Sequence, residues 1–431
     1  MADTRDETIS LPEIKVPALW TFAGLGGGLA LGIVLQGKAM LPPLLEITAP
    51  LGELWLRGLQ MTILPLVSAL IFTGILRTVA AASAGAMAKR TLGLFAGVLL
   101  GGAVISAVLM PLLLTLFPAP AQAVAALSGP GLSGAGQGGA GHDAATKLPG
   151  LGDYLTSLIP ANVIEAAARD AILPVILFMA LFALAAAQLS ETQRRPLAQL
   201  FDGIAAAMMV VIGWVLKLAP VGVFALALGV AAKSGTAMIA ALGHYIALVS
   251  AIGAVVMLSG YVVAALLGRL NPLTFARTML PVQAVAISTQ SSLACLPAML
   301  AACRKLGVRE TSADFVLPLA VALFRATSPA MNLAVVAYVA QLTGVHLTPA
   351  AYAAGIVVAM LAMLGSPSLP GTISFVTATG PIALAMGVPI GPLALLVAVE
   401  MLPDIMRTLG NVTLDVAVAT AVDRRERAGG G

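Results

Sequence analysis

In the stretch EMLPDIMRTLGNVTLD, residues 400–415, three acids, an arginine and an amide interrupt an apolar run. Glu400, Asp404, Arg407, Asn411 and Asp415 are separated by 4, 3, 4 and 4 residues. At about 3.6 residues per turn, that spacing gathers all five within one quarter of a helix surface. A guanidinium presents a planar, bidentate fork to a carboxylate. The acids can meet an ammonium or a cation, and Asn411 and Thr408 add hydrogen-bonding groups. A charged side chain at the centre of a bilayer costs roughly 2.5–3.5 kcal/mol on insertion scales, so ionisable groups there are a functional signal by default. The chemistry on offer is recognition of a small charged solute inside a membrane.

The elements that must position this stripe follow from composition. The 431 residues are 59% hydrophobic and 10% charged, against about 25% charged in a soluble domain. Many apolar runs approach the roughly 20 residues that cross a bilayer, which makes the chain an all-α polytopic membrane protein. The polar, acidic start MADTRDETISLPEIK does not read as a cleavable signal peptide, and residues 1–15 are expected to form a cytoplasmic tail. Apolar helices are expected at about 16–36, 46–76, 91–117, 156–190, 197–230 and 236–268, with a Gly/Ala-rich external loop at about 118–155. Lys89, Arg90, Arg194, Arg195 and Arg269 follow alternate helices, and Arg424, Arg425 and Arg427 lie in the tail 423–431. The positive-inside rule puts these, and both termini, in the cytoplasm. The basic residues sit in short loops and give no nucleic-acid signal. Cys295 and Cys303, the only cysteines, read as buried thiols.

After residue 270 the simple pattern breaks. Segment 270–310 has Arg277 near one end, Arg304, Lys305 and Arg309 at the other, and the polar run STQSS (288–292) in its middle. Two positive ends and a polar middle describe a segment that enters the membrane and turns back. Segment 349–385 has no basic residue, and its middle is GSPSLPGT (365–372). There Pro367 and Pro370 interrupt a helix, while Gly365 and Gly371 favour a turn. We read both as re-entrant hairpins, against the alternative of ordinary kinked spans. Irregular backbone at membrane depth is tolerated only under protein or in a water-filled cavity. Paired interrupted segments point to a transporter's midplane binding site. A helix at 311–343 lies between the hairpins, and a helix at 388–422 carries the stripe.

Over nearly its whole length the sequence resembles the dicarboxylate/amino acid:cation symporter family, the glutamate transporters and their prokaryotic homologues. PLGELWLRGLQMTILPLV (50–67) is similar to that family's second helix and LKLAPVGVFAL (216–226) to its fifth. STQSSLACLP (288–297) and SLPGT (368–372) resemble its two hairpin tips. The most specific match is DIMRTLGNVTLD (404–415), on the pattern Asp-x-x-Arg-Thr-x-x-Asn-x-x-x-Asp. The resemblance implies eight transmembrane helices plus two re-entrant helical hairpins in a glutamate-transporter-like elevator fold, assembled as a homotrimer in the cell (inner) membrane. It implies no cofactor, no metal beyond Na+, and Na+ or H+ as coupling ion. The implied substrate site is Ser291, Ser292, Ser328, Asp404, Arg407, Thr408 and Asn411, with Arg407 on a side-chain carboxylate, Asp404 on an amino group and Asn411 on the α-carboxylate. Relatives specialised for plain dicarboxylates tend to lack the acid matching Asp404, so aspartate or glutamate is expected. The alternative is C4-dicarboxylate:proton symport. The implied cation-coupling residues are Asp415 and Asn411 at one site and Ser366 at another, with Glu400 or Asp415 available to protons.

One departure stands out. Aligning FVLPLAVAL (315–323) onto the family's seventh helix puts Phe324, Arg325, Ala326, Thr327 and Ser328 where the family has Asn-Met-Asp-Gly-Thr. The third-helix segment, which in the family adds an aromatic and two hydroxyls to the same sodium site, reads LFAGVL (94–99). That sodium site is therefore expected to be absent. The stripe's three acids outweigh Arg407, and Arg325 is expected to compensate them; the alternative places it in a water pocket with a packing role. Two protease-like motifs, GLGD (150–153) and GLSG (131–134) with His142, lie in or beside the Gly/Ala-rich loop, where chance matches are common. No Tyr-Asp partner for the first exists, and no enzyme is expected. A channel is the more serious rival, because polar stripes also line pores.

Overall fold

The computed structural model describes residues 18–83, 85–121, 124, 159–169, 171–365 and 371–429. Residues 1–15, most of 118–155 including both protease-like motifs, and the tip residues 366–370 with Ser366 lie outside the described residues. Among the described residues all regular structure is helical: α1 Ala18–Leu35, α2 Leu41–Ala82, α3 Ala86–Leu116, α4 Val163–Ala168, α5 Ile172–Ala186, α6 Glu191–Lys217, α7 Ala219–Ser234, α8 Ala237–Leu266, α9 Pro272–Thr289, α10 Leu296–Lys305, α11 Glu310–Leu323, α12 Ser328–Thr343, α13 Pro349–Gly365, α14 Gly371–Ala385, α15 Gly391–Leu396 and α16 Met401–Gly429. Six helical stretches are long and apolar enough to cross a membrane, with α11 and α12 together forming one of them.

Prolines set many of the boundaries. Pro174, Pro220, Pro272, Pro297, Pro329, Pro349, Pro392 and Pro403 sit in the first turns of α5, α7, α9, α10, α12, α13, α15 and α16. In a first turn the missing N–H has no intrahelical partner to lose, and the fixed φ suits the helix. The same residue cannot continue a helix from the other side. Four stretches expected as single helices are accordingly divided. Segment 156–190 becomes α4 and α5, 197–230 becomes α6 and α7 with a turn at Leu218, 311–343 becomes α11 and α12, and 388–422 becomes α15 and α16. The second helix runs longer than expected, over Leu41–Ala82.

Small residues bring the outer helices together. A Cβ at Gly24, Gly28 or Gly32 of α1 would strike the α7 backbone near Pro220, Phe224 and Leu228, so this glycine row lets two backbones meet closely, as small-xxx-small rows do in membranes. The Trp55 ring of α2 covers Gly222 of α7, and its indole N–H donates to the Val215 carbonyl at 2.9 Å. Around this group, α2 also packs on α5 and α6. The second group centres on α12 and α16. α12 is buried around almost its whole circumference, as an all-round apolar helix must be. α3, α8, α9, α10 and α11 surround the pair, α9 and α10 fold back on one another, and α13 and α14 do the same against α12 and α2.

Candidate functional site

The stripe lies at the start of α16, just past a turn that separates it from α15. Glu400 ends that turn, and its carbonyl accepts the Asp404 N–H at 3.0 Å. Helix periodicity then carries Arg407, Asn411 and Asp415 along the same face. That face looks inward to α8, α12 and the α11–α12 break, while Met401 and Leu402 turn outward and are 47% and 40% exposed.

Arg407 organises the ion pairs. It is 2% exposed, and its Nη1 lies 2.6 Å from Glu400 Oε1 and 2.8 Å from Asp404 Oδ1. Its Nη2 donates to Asn332 Oδ1 of α12 at 3.3 Å. Tyr245 of α8 donates its hydroxyl to Glu400 Oε2 at 2.9 Å. One guanidinium thus holds two buried carboxylates, and the added hydrogen bonds offset part of the desolvation that a buried pair suffers. Arg407 Nε, Ser328 Oγ and both carboxylate oxygens of the fully buried Asp415 find no hydrogen-bond partner among the described residues. Buried polar atoms are rarely left so. These groups are the ones a bound solute or ion would satisfy.

The break between α11 and α12 is fixed to α16 by Thr327. Its N–H and hydroxyl reach Asn411 Oδ1 at 3.0 and 2.8 Å, and the hydroxyl also lies 2.9 Å from the Arg407 carbonyl. Asn411 Oδ1 thus accepts the Thr327 N–H and competes with the Arg407 carbonyl for the single hydroxyl proton, which leaves its amide nitrogen to face a ligand. Gly410 permits the approach, because a Cβ there would land on the Thr327 methyl. On the far side of the break Phe324 stacks on Phe95 of α3, ring centroids 4.2 Å apart and nearly parallel. Ala326 is fully buried beside it. An aromatic pair and a methyl thus line this side of the break. Arg325, half-buried, lies in the field of both Asp404 and Arg407.

The remaining expected residues are placed less centrally. The Thr408 hydroxyl donates to the Asp404 carbonyl of its own helix at 3.0 Å. Ser291 and Ser292 sit in the loop between α9 and α10, where Gln290 adopts a left-handed conformation, φ +49°. Ser291 Oγ accepts the Ala294 N–H at 3.3 Å, within its own loop. This hairpin is tied to the stripe's helix by Gln283, which donates to Thr413 Oγ1 at 3.1 Å. Sequence reasoning missed Tyr245, Asn332 and the role of Thr327. A signal existed: Tyr245 and Asn332 are polar groups within apolar helices, the pattern that marks function in a membrane.

Comparison with known proteins finds relatives along most of the chain. A family model described as the sodium:dicarboxylate symporter family matches residues 18–425. The chain is 25% identical over 405 residues to a proton/sodium-glutamate symport protein of Bacillus subtilis (strain 168), covering 94% of this chain and 91% of the relative. It is 28% identical over 387 residues to a C4-dicarboxylate transport protein of Anaeromyxobacter sp. (strain K), covering 88% and 83%. It is 29% identical over 266 residues to a proton/glutamate-aspartate symporter of Escherichia coli (strain K12), covering 61% and 60%.

Proposed function

The chain belongs to the sodium:dicarboxylate symporter family, and we propose that it is a secondary active symporter importing an acidic amino acid, aspartate or glutamate, across the cell membrane. The Arg407–Asp404 pair carries this reading. A substrate bearing an ammonium and a side-chain carboxylate replaces both partners at once, ammonium on Asp404 and carboxylate on Arg407. Neither buried charge is then left alone, which matters because removing one partner of a buried pair costs about 3–5 kcal/mol. Ser328 Oγ, Arg407 Nε and the Asn411 amide nitrogen supply further bonds, with Thr408 and the Ser291–Ser292 loop closing the site.

Asp415 takes the coupling charge, as a sodium ion or a proton, since its oxygens have no partner among the described residues. Glu400, held by Arg407 and Tyr245, is the fixed counter-charge rather than the carrier. With Phe324 and Ala326 where the family has an amide and a carboxylate, and Phe324 stacked on Phe95, fewer cations accompany each substrate. Transport proceeds by elevator alternating access in a homotrimer with cytoplasmic termini, built on eight spans and two re-entrant hairpins, α9–α10 and α13–α14. Support for sliding comes from the crevice between α2 and α14–α15, where Gln60 is the one polar lining residue among Leu56, Leu59, Ile63, Leu393 and Val397. Apolar walls have few hydrogen bonds to exchange during movement. C4-dicarboxylate:proton symport is the second reading, favoured by the extra cation Arg325.

The test is reconstitution in liposomes with sodium and proton gradients imposed separately. Saturable, counter-transportable aspartate or glutamate uptake driven by one gradient supports the proposal. Succinate uptake that aspartate does not inhibit moves it to the second reading, and non-saturable flux replaces the carrier with a channel.

A further inference from the structure

Arg325 is the charged residue of the site to which the transport cycle above gives no role. It stands in the α11–α12 break, whose position on α16 is set by the Thr327 bonds to Asn411 and to the Arg407 carbonyl. Its own carbonyl accepts the Ser328 N–H at 2.9 Å, so the backbone is tied on both sides of it. Phe324, immediately before it, leaves the helix at φ −112° and ψ 82°, and its ring stacks on Phe95 of α3. Arg325 follows in the break, where it lies in the fields of Asp404 and Arg407.

We propose that Arg325 is a specificity residue for substrate charge, supplying the positive field that admits a dianionic dicarboxylate beside a singly charged acidic amino acid. The proposal rests on the symporter reading above and names which substrates share its site. Glu400, Asp404 and Asp415 face Arg407 and Arg325, so the cluster is neutral once Asp415 carries its coupling cation or proton. Without Arg325 it is one unit more negative. A dianion feels that change twice as strongly as a monoanion, because Coulomb energy scales with the product of charges. Arg325 also offers Asp404 a second cation when a dicarboxylate engages Arg407, which answers the objection that Asp404 excludes such substrates.

The experiment is competition of succinate and of aspartate against labelled aspartate, in the wild-type protein and in Arg325→Gln, Arg325→Met and Arg325→Lys. Both compounds compete in the wild type. In the Gln and Met variants succinate loses on the order of tenfold more affinity than aspartate does, and the Lys variant restores most of the ratio. Gln keeps the hydrogen-bonding reach without the charge, so it carries the test if the Met variant does not fold. Equal losses for both ligands, or an unchanged ratio in every folded variant, overturn the assignment while leaving the symporter reading intact. Wild-type protein that succinate does not compete for also overturns it. Wild-type protein that binds neither ligand overturns the symporter reading itself.

Discussion

Gly410 is where the α11–α12 break touches α16, and Gly410→Ala tests whether that contact holds the site together. The added Cβ would land on the Thr327 methyl, so either the break lifts off α16 or the helix bows. Thr327 makes its contacts with Asn411 Oδ1 at 3.0 and 2.8 Å and with the Arg407 carbonyl at 2.9 Å across this seam. Each buried hydrogen bond contributes about 0.5–1.5 kcal/mol, and overpacking of a tight site costs about 1–3 kcal/mol. With the bonds stretched rather than all lost, the expected destabilisation is about 3 kcal/mol, which lowers Tm by about 3 °C in a chain of this size. Aspartate affinity falls as well, because Ser328 and Arg325 ride on the same break. The assay is thermal unfolding in detergent, with and without aspartate, alongside Thr327→Ser, which removes the methyl and keeps the hydroxyl. Gly410→Ala combined with Thr327→Ser should recover most of the loss, a coupling that a double-mutant cycle isolates. An unchanged Tm in Gly410→Ala, or a double variant no better than the single, refutes the seam.

Arg407→Ala leaves Glu400 and Asp404 buried without their guanidinium, so it should cost about 3–5 kcal/mol and abolish saturable aspartate binding; near-normal affinity by calorimetry would contradict the substrate assignment. Tyr245→Phe removes the donor to Glu400 Oε2 and should lower stability by about 1–2 kcal/mol, with an affinity change of only a few fold, read by unfolding and binding on the same sample. In the wild type, sodium or acid should strengthen aspartate binding by neutralising Asp415. Asp415→Asn, already neutral, should hold that affinity flat across sodium and pH titrations, and a retained dependence would place coupling elsewhere.

The sequence alone determined the membrane class, the interrupted segments and the stripe, because each rests on a local rule. Bilayer thickness sets the length of an apolar run, proline and glycine punctuate helices, and the 3.6-residue period puts Glu400, Asp404, Arg407, Asn411 and Asp415 on one face. It also flagged Phe324, Arg325 and Ala326 as unusual. It did not give the places where one apolar run holds two helices, as at Leu218, because hydropathy carries no record of a turn inside a hydrophobic stretch. The first-turn prolines were in view, yet Pro50, Pro65 and Pro111 lie inside helices, so a proline by itself does not decide.

Only the tertiary structure decided which stripe residue meets which partner. Nothing in residues 400–415 says that Arg407 holds both Glu400 and Asp404, that Tyr245 reaches Glu400 from 155 positions away, or that Asn411 is already engaged by Thr327. Nor does spacing show that Asp415 has no hydrogen-bond partner among the described residues, or that Phe95 lies on Phe324. Those facts depend on how α3, α8 and the α11–α12 break approach α16. That approach is set by long-range packing, in which small residues such as Gly410 and Gly253 fix how close two helices come. Local sequence specifies each helix and the face it must bury; the distances that make a site are properties of pairs of helices, and no single segment encodes them.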